Sequence, residues 1–379
     1  MKIGIDCTSL QKKHDGGKEQ VLLNLLKGFH QLDAGKRICI FCYPYSLNLL
    51  KTLVPEAELI VVKENRMPKK LLSDLWFKTF HLPRLIRNHQ VDLIFFPVSI
   101  TGMKRLSIPS IVLPHDIQPI VKKDAYSFWN RMKYRLIYHF DFSLRDHIIS
   151  ISDYDKSQMA QFYPQYLHKL HRIYNPIALE PFEESVDRKP TISAVNIRFP
   201  HKNIETLIRA FAEIQDQIPH TLTLIGRLDN KTTHLKHLVQ SLKISDRVQF
   251  PGFVSEEDLR RLIAESSLYV NPSLFEGFGM TAIEAMILKT PVIVADVTAS
   301  KETTQGLCAY YSPATDVGVL ADRMVKILNQ LPSDSTLEAT SQTMQHAYHT
   351  QTIAQEYLDL FEKNSKARSA HEDPLYLPK

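Results

Sequence analysis

The sequence predicts an α/β protein made of two doubly wound domains in tandem. Three observations carry that expectation. Short β-rich runs alternate with amphipathic helical runs along most of the chain. The alternation restarts after a polar, proline-flanked stretch at residues 181–190. The length, 379 residues, suits two domains of ordinary size.

In the first domain, drawn as 1–178, strands are expected near 2–6, 37–42, 58–62, 92–96, 110–114 and 147–152. Gly16 and Gly17 open a helix whose Val21, Leu22, Leu25, Leu26 and Phe29 share one face. The stretch 181–190 reads as a linker. In the second domain, 179–345, strands are expected at 191–195, 221–225, 247–250, 268–270 and 291–295, each followed by a helix. Asn203 caps a helix that turns Ile204, Leu207, Ile208 and Phe211 inward. A last helical pattern within 346–365 carries Thr352, Ile353, Tyr357, Leu360 and Phe361. It follows the completed second sheet and is expected to pack back on the first domain. Residues after 364 read as a frayed tail.

Composition narrows the classes. Apolar residues make up 44% and charged residues 23%, which excludes disordered and fibrous chains. No run approaches the ~20 apolar residues that a membrane-spanning helix needs. The first six residues read as a strand rather than a secretory leader, so a cytoplasmic protein is expected. Cys39 and Cys42 form a C-x-x-C within a strand pattern. Residues three apart on a strand point to opposite faces, so the pair cannot share a metal. Buried thiols in a reducing compartment are expected instead.

Charge is uneven. Residues 1–178 hold 26 Lys and Arg against 15 Asp and Glu, whereas the rest hold 20 against 26. The basic half is expected to face something anionic, with lipid, a lipid diphosphate or nucleic acid as the candidates. Residues 69–87 set Trp76, Phe77 and Phe80 among five cations. That stretch reads equally as a membrane-surface segment or as core aromatics with solvated cations. A similar stretch at 122–135, with Phe128, Trp129 and Tyr134, is expected to face its aromatics inward.

Two doubly wound sheets place ligand at the carboxyl ends of their strands, here in a cleft between domains. Neither G-x-G-x-x-G after the first strand nor G-x-x-x-x-G-K-[ST] occurs, so those two nucleotide modes are excluded. Only 12 glycines are present, and Gly16, Gly17, Gly226, Gly252, Gly277 and Gly279 fall at strand ends or helix starts. In P-S-L-F-E-G-F-G-M-T-A-I-E-A-M, residues 272–286, a strand gives way to a glycine loop and a helix starting near Met280. Free amides there make an anion site. Glu276 and Glu284 flank it, eight residues apart. They would repel a diphosphate unless each takes neutral hydroxyls, a sugar on one side and a ribose on the other.

This segment resembles the E-x-seven-E motif of the retaining GT-B glycosyltransferases of family four, the glycosyl transferases group 1. The resemblance continues through T-P-V-I-V-A-D and touches most of the chain. It implies the GT-B architecture: two Rossmann-like doubly wound domains facing an inter-domain cleft. Arg198 and Lys202 match the cations that hold the donor diphosphate, although Asn196-Ile197 stands where relatives have Gly-Arg. Gly16 and Gly17 match the loop that closes over donor phosphates, here followed by Lys18-Glu19. His115, beyond the strand at 110–113, matches the histidine that touches the donor sugar. By itself it reads equally as a structural histidine, and Asp116 reads as a cap. Phe250 to Val254, with Gly252, Phe253 and Val254, matches the base-binding loop, and Gly226 ends a neighbouring strand. Phe278, Gly279, Met280, Thr281 and Glu284 complete the implied donor site, with Glu276, His115, Lys202 and Arg198 at its reactive end.

The function implied is metal-independent, retaining transfer of a hexose or deoxyhexose from a nucleotide diphosphate sugar. The acceptor is a hydroxyl of a glycan or lipid-linked glycan, as in cell-surface polysaccharide synthesis. No cofactor, metal or nucleic-acid partner is expected, and contact with the inner face of an anionic membrane is. A non-catalytic nucleotide-sugar or glycan-binding protein on the same fold is the alternative.

Overall fold

The structure, a computed structural model, describes residues 1–11, 16–63, 70–122, 126–183 and 186–369. The chain divides into two compact units. One holds Met1–Ala178 together with the chain from Tyr348 onward, and the other holds Leu179–Ala347.

The first unit contains β1 (Ile3–Asp6), β2 (Ile38–Cys42), β3 (Glu58–Val61), β4 (Leu93–Phe96), β5 (Ser110–Val112), β6 (His147–Ser150) and β7 (Leu170–Arg172). They form one parallel sheet in the order β3-β2-β1-β4-β5-β6-β7. The strands β1, β2 and β4 are buried at every residue. That is why they read as continuous apolar runs rather than alternating ones: helices cover both faces. Cys39 and Cys42 are free and buried in β2.

The second unit contains β8 (Lys189–Val195), β9 (Thr221–Ile225), β10 (Val248–Gly252), β11 (Ser266–Asn271), β12 (Val292–Ala295) and β13 (Ala309–Tyr311). These form a six-stranded parallel sheet in the order β10-β9-β8-β11-β12-β13. The two strands the sequence pattern misses, β7 and β13, are three-residue edge strands. They are too short to display a period. Residues 184 and 185 of the expected linker lie outside the described residues.

Helix packing follows the apolar faces. Val21, Leu22, Leu25, Leu26 and Phe29 of the Gly17–Gln31 helix are all buried. This helix packs on the Thr350–Ser369 helix, with Phe29 and Phe361 at 6.3 Å between ring centroids. Gly28 permits the approach, since a Cβ there would sit 2.4 Å from the Thr350 carbonyl oxygen. In the second unit, Ile204, Leu207, Ile208 and Phe211 of the Ile204–Ile214 helix join the core. Asn203 is the residue before that helix, in left-handed conformation, but its side chain does not cap it. Its Nδ2 instead donates to the carbonyl oxygens of Pro272 (3.1 Å) and Ala314 (2.8 Å).

The second basic aromatic stretch departs from expectation. Phe128 and Trp129 are exposed rather than inward, while Tyr138 and Phe142 of the same Phe128–Leu144 helix are buried. In the first stretch, Phe77 is buried and Trp76 and Phe80 are exposed, whereas Lys78 is buried. Lys69 lies outside the described residues. Among the described residues no helix is long and apolar enough to cross a membrane.

Candidate active site

In the second unit, the strand ends β8 and β11 are neighbours in the sheet, and the loops leaving them are stitched together. The Leu274 amide donates to the His201 carbonyl oxygen at 2.7 Å, beside the two Asn203 bonds. This brings Lys202, on the short turn Pro200–Lys202, to Glu276, which follows β11. Lys202 Nζ donates to Glu276 Oε1 at 2.6 Å, with side chains 13% and 11% exposed. Asn271 Nδ2 donates to the same oxygen at 3.3 Å, and Ser273 Oγ donates to Asn271 Oδ1 at 2.6 Å. Burial is the strongest influence on the Glu276 carboxyl and pushes its pKa up. It is outweighed by the Lys202 charge and hydrogen bond, with help from Ser273 and Asn271, so the pKa falls below the ordinary value. Glu276 is therefore a held carboxylate.

Thr298 clamps the backbone of Glu276. Its Oγ1 accepts from the Glu276 amide at 3.0 Å and donates to the Glu276 carbonyl oxygen at 2.7 Å. Thr298 has φ 47°, a strained conformation for a β-branched residue. Such strain persists only where the surroundings over-determine it. Sequence reasoning missed Asn271, Ser273 and Thr298; their positions at the end of β11 and just beyond β11 and β12 were the available signal.

Gly279, with φ 85°, starts the Met280–Ile287 helix. The left-handed turn is open to glycine without strain and aims the Met280 and Thr281 amides out of the helix start. Glu284 lies one turn further along and is partly buried. Burial, then the Glu256 charge, push its pKa to about 7. The two carboxylates thus answer to different neighbours: Glu276 to Lys202, and Glu284 to the helix that follows the 250–254 loop. In that loop Phe253 is exposed and Val254 partly buried, and the Gly226 amide donates to the Gly252 carbonyl oxygen at 3.0 Å. Phe278 is buried.

Among the described residues Arg198 pairs with Asp229 rather than with Glu276. Its Nε donates to Asp229 Oδ2 at 2.5 Å, and it lines a cavity of about 500 Å³ with Phe199, Asn203, Glu205, Arg209 and His234. The departure at Asn196-Ile197 has a physical reading. Asn196 takes φ 62°, which asparagine tolerates better than other side-chain residues, so it fills a glycine position. Ile197 is buried in the core, leaving Arg198 as the loop cation.

His115 and the Gly16–Gly17 loop belong to the first unit. His115 has φ 69° and is buried, and its Nε2 donates to the Pro97 carbonyl oxygen at 2.9 Å. Burial, then the Lys18 charge, lower its pKa to about 3, so the ring is neutral with Nδ1 as its acceptor. Asp116 Oδ1 accepts from the Gln118 amide at 3.0 Å, as a cap does. A Cβ at Gly16 or Gly17 would meet nothing within 4 Å. Nearby is a cavity of about 260 Å³ lined by Ser9, Lys18, Lys78, Ser99, Tyr134 and Tyr138 among others. Lys78 sits on a π-helical turn, Phe77–His81, and pairs with the buried Asp6 at 2.8 Å. The sequence left Lys78 open between a membrane surface and solvent, and neither reading holds it: the wide turn carries it inward.

Among the described residues one group could hold a metal ion: Cys39, Glu58 and His89. Glu58 already pairs with Lys2 and lies 2.8 Å from His89 Nδ1. Burial, chiefly, pushes the Cys39 thiol up to about 12. The group reads as an ion-pair cluster at the opposite ends of the strands from those carrying the site loops.

The two parallel sheets with their flanking helices define a two-domain Rossmann-like α/β fold, and the comparisons agree. Residues 178–343 match the family described as Glycosyl transferases group 1, and residues 15–181 match Glycosyltransferase Family 4. The chain belongs to the group 1 glycosyltransferase family. It is 29% identical over 218 residues to the O-antigen chain mannosyltransferase RfbU of Salmonella typhimurium, covering 58% of this chain and 60% of that one. It is 29% identical over 170 residues to the MMP alpha-(1->4)-mannosyltransferase of Mycolicibacterium hassiacum, covering 44% and 40%. The chain thus spans less than two thirds of the length of these relatives. Among solved structures, sucrose-phosphate synthase from Thermosynechococcus elongatus matches with TM-score 0.76 and 18% identity, over 97% of this chain and all of that one. HepE of Anabaena, in complex with UDP and glucose, matches with TM-score 0.73 and 18% identity, over 96% and 100%. At such identities the likeness is one of fold.

Proposed function

We propose that the protein is a retaining glycosyltransferase that moves a hexose or deoxyhexose from a nucleotide diphosphate sugar to a hydroxyl of a glycan or lipid-linked glycan. The observation that carries this reading is the Lys202–Glu276 pair beside the open start of the Met280–Ile287 helix. A cation, free amides and a held carboxylate stand together. The first two suit a diphosphate and the third suits sugar hydroxyls.

In this reading Glu276 holds donor sugar hydroxyls near the anomeric carbon, and Glu284 holds the ribose. The acceptor oxygen bonds to the anomeric carbon on the face the diphosphate leaves. The bond from that carbon to the diphosphate oxygen breaks, and the acceptor proton passes to a departing phosphate oxygen. Lys202, Arg198 and the amides from Gly279 to Thr281 stabilise the charge on that leaving group. Arg198 would exchange its bond to Asp229 for the phosphate. These cations take the role a divalent ion has elsewhere, so transfer without added metal belongs to the proposal. His115, neutral with Nδ1 accepting, positions the sugar, and the Gly16–Gly17 loop closes over phosphate. Gly226, Gly252, Phe253 and Val254 receive the base.

The basic first unit takes the acceptor. Free thiols at Cys7, Cys39, Cys42 and Cys308 fit a reducing compartment, and a cytoplasmic place is part of the proposal. Two mannosyltransferase relatives make a mannosyl donor the first to try. A thermal-shift screen against uridine, guanosine and thymidine diphosphates tests the reading. Stabilisation by at least one supports it; stabilisation by none contradicts it.

A further inference from the structure

The Phe128–Leu144 helix in the first unit is turned the unusual way. Its inner face carries Tyr138, Asp141 and Phe142, all buried. Its outer face carries Phe128, Trp129, Met132, Leu136 and Phe140, all exposed, with Trp129 at 79%. Four of these, from Phe128 to Phe140, recur every fourth residue and so form one stripe. A second stripe repeats the spacing in Leu72, Trp76 and Phe80, and exposed Met103 adds to it. These nine side chains are more than half of the 17 large apolar side chains exposed among the described residues. Singly exposed apolar residues are ordinary, but two continuous stripes are not.

One short loop joins the two stripes. The Ile100 and Thr101 amides donate to Asp141, next to Phe140. Two residues on, the Met103 amide donates to Thr79 Oγ1, next to Phe80. The stripes therefore end within one loop of each other. Cations border them: Lys133 and Arg135 on the helix, and Lys104, whose Nζ lies 4.6 Å from the Phe80 ring centroid. No acidic residue occurs from 126 to 140, nor from 75 to 91. Asp74 lines the cavity between these helices, and Asp141 is buried.

We propose that this face docks on a bilayer containing anionic phospholipid. The aromatic and aliphatic stripes enter the headgroup boundary, and the bordering cations meet lipid phosphates. A second copy of the chain fits less well. Two-fold pairing of this face would set the same cations against each other, with no exposed acid along either stripe to answer them among the described residues. The inference goes beyond the transferase reading, and its test needs no sugar donor.

Both tryptophans of the chain, Trp76 and Trp129, lie on this face, so intrinsic fluorescence reports on it directly. The full chain is mixed with vesicles of phosphatidylcholine alone, or of phosphatidylcholine with phosphatidylglycerol. Binding is followed by flotation, emission shift and quenching by brominated lipid. The expected result is binding to the anionic vesicles, weakened by salt, with a blue shift and quenching. The double variant W129S/F140S should bind about tenfold more weakly. L331S, at an exposed site in the other unit, should bind as the parent does. No binding to anionic vesicles at low salt would overturn the proposal, as would equal binding by W129S/F140S. So would a lipid-free dimer that the double variant abolishes, which would assign the face to a second copy.

Discussion

Lys202 Nζ and Glu276 Oε1 meet at 2.6 Å although 74 residues separate them in the chain. The pair forms because β8 and β11 are adjacent parallel strands whose exit loops are tied by Asn203 and by Leu274. Neither side chain is free to drift, so a ligand arriving here finds charge already oriented.

Replacing Glu276 by alanine should leave a folded protein with little activity. Removing one partner from a mostly buried pair costs about 1–3 kcal/mol of stability. Turnover should fall by about two orders of magnitude, the usual effect of deleting an interaction made at the reacting centre. Circular dichroism and a donor turnover assay on the purified variant check both. Native structure with undiminished turnover would remove Glu276 from the mechanism.

Lys202→Ala should weaken nucleoside diphosphate binding by about tenfold or more while barely changing binding of the nucleoside. Calorimetric titration with each ligand separates the two. Equal losses for both would mean that Lys202 holds the loop rather than the phosphates.

Glu284 offers a pH test. Its carboxyl titrates near 7, raised by burial and Glu256, so the folded state keeps a proton that the unfolded state has lost. Between the ordinary carboxylate range and about 7, stability should therefore fall as pH rises. A ribose hydroxyl donates best to the charged form, so donor affinity should rise as pH passes through 7. Denaturation and binding measured from pH 5 to 8, as about that span covers the change, should both flatten in Glu284→Gln. A variant that keeps both slopes would place the titrating group elsewhere.

Gly28 tests the packing of the first unit alone. Gly28→Ala puts a Cβ against the Thr350 carbonyl and forces the Gly17–Gln31 and Thr350–Ser369 helices apart. A loss of about 1–3 kcal/mol is expected. Thermal unfolding of the unliganded protein measures it, and an unchanged midpoint would show that the crossing yields without strain.

The alternation of strand and helix was legible because buried parallel strands are apolar throughout and their helices are not. Glu276, Glu284 and the glycine loop were legible because they lie within one short segment. What holds Glu276 and Arg198 in place was not. Thr298, Asn271 and Asp229 are ordinary polar residues whose roles arise from strand adjacency, which a single sequence does not display. Lys78 was hidden by a π-helical turn that rotates it off the solvent face. Trp129 and Phe128 were hidden for the opposite reason. Aromatic residues on a helix usually mark its inner face, and here they mark the outer one.

The proposed Lys202–Glu276 site would hold a nucleotide diphosphate sugar for transfer with retained configuration. Proton NMR of the sugar released or transferred, recorded before the free sugar can mutarotate, tests it most directly. The product should carry the donor's anomeric configuration, formed by the parent protein without added metal and lost in Glu276→Ala. Inverted product, or no sugar leaving any uridine, guanosine or thymidine diphosphate donor, would contradict it.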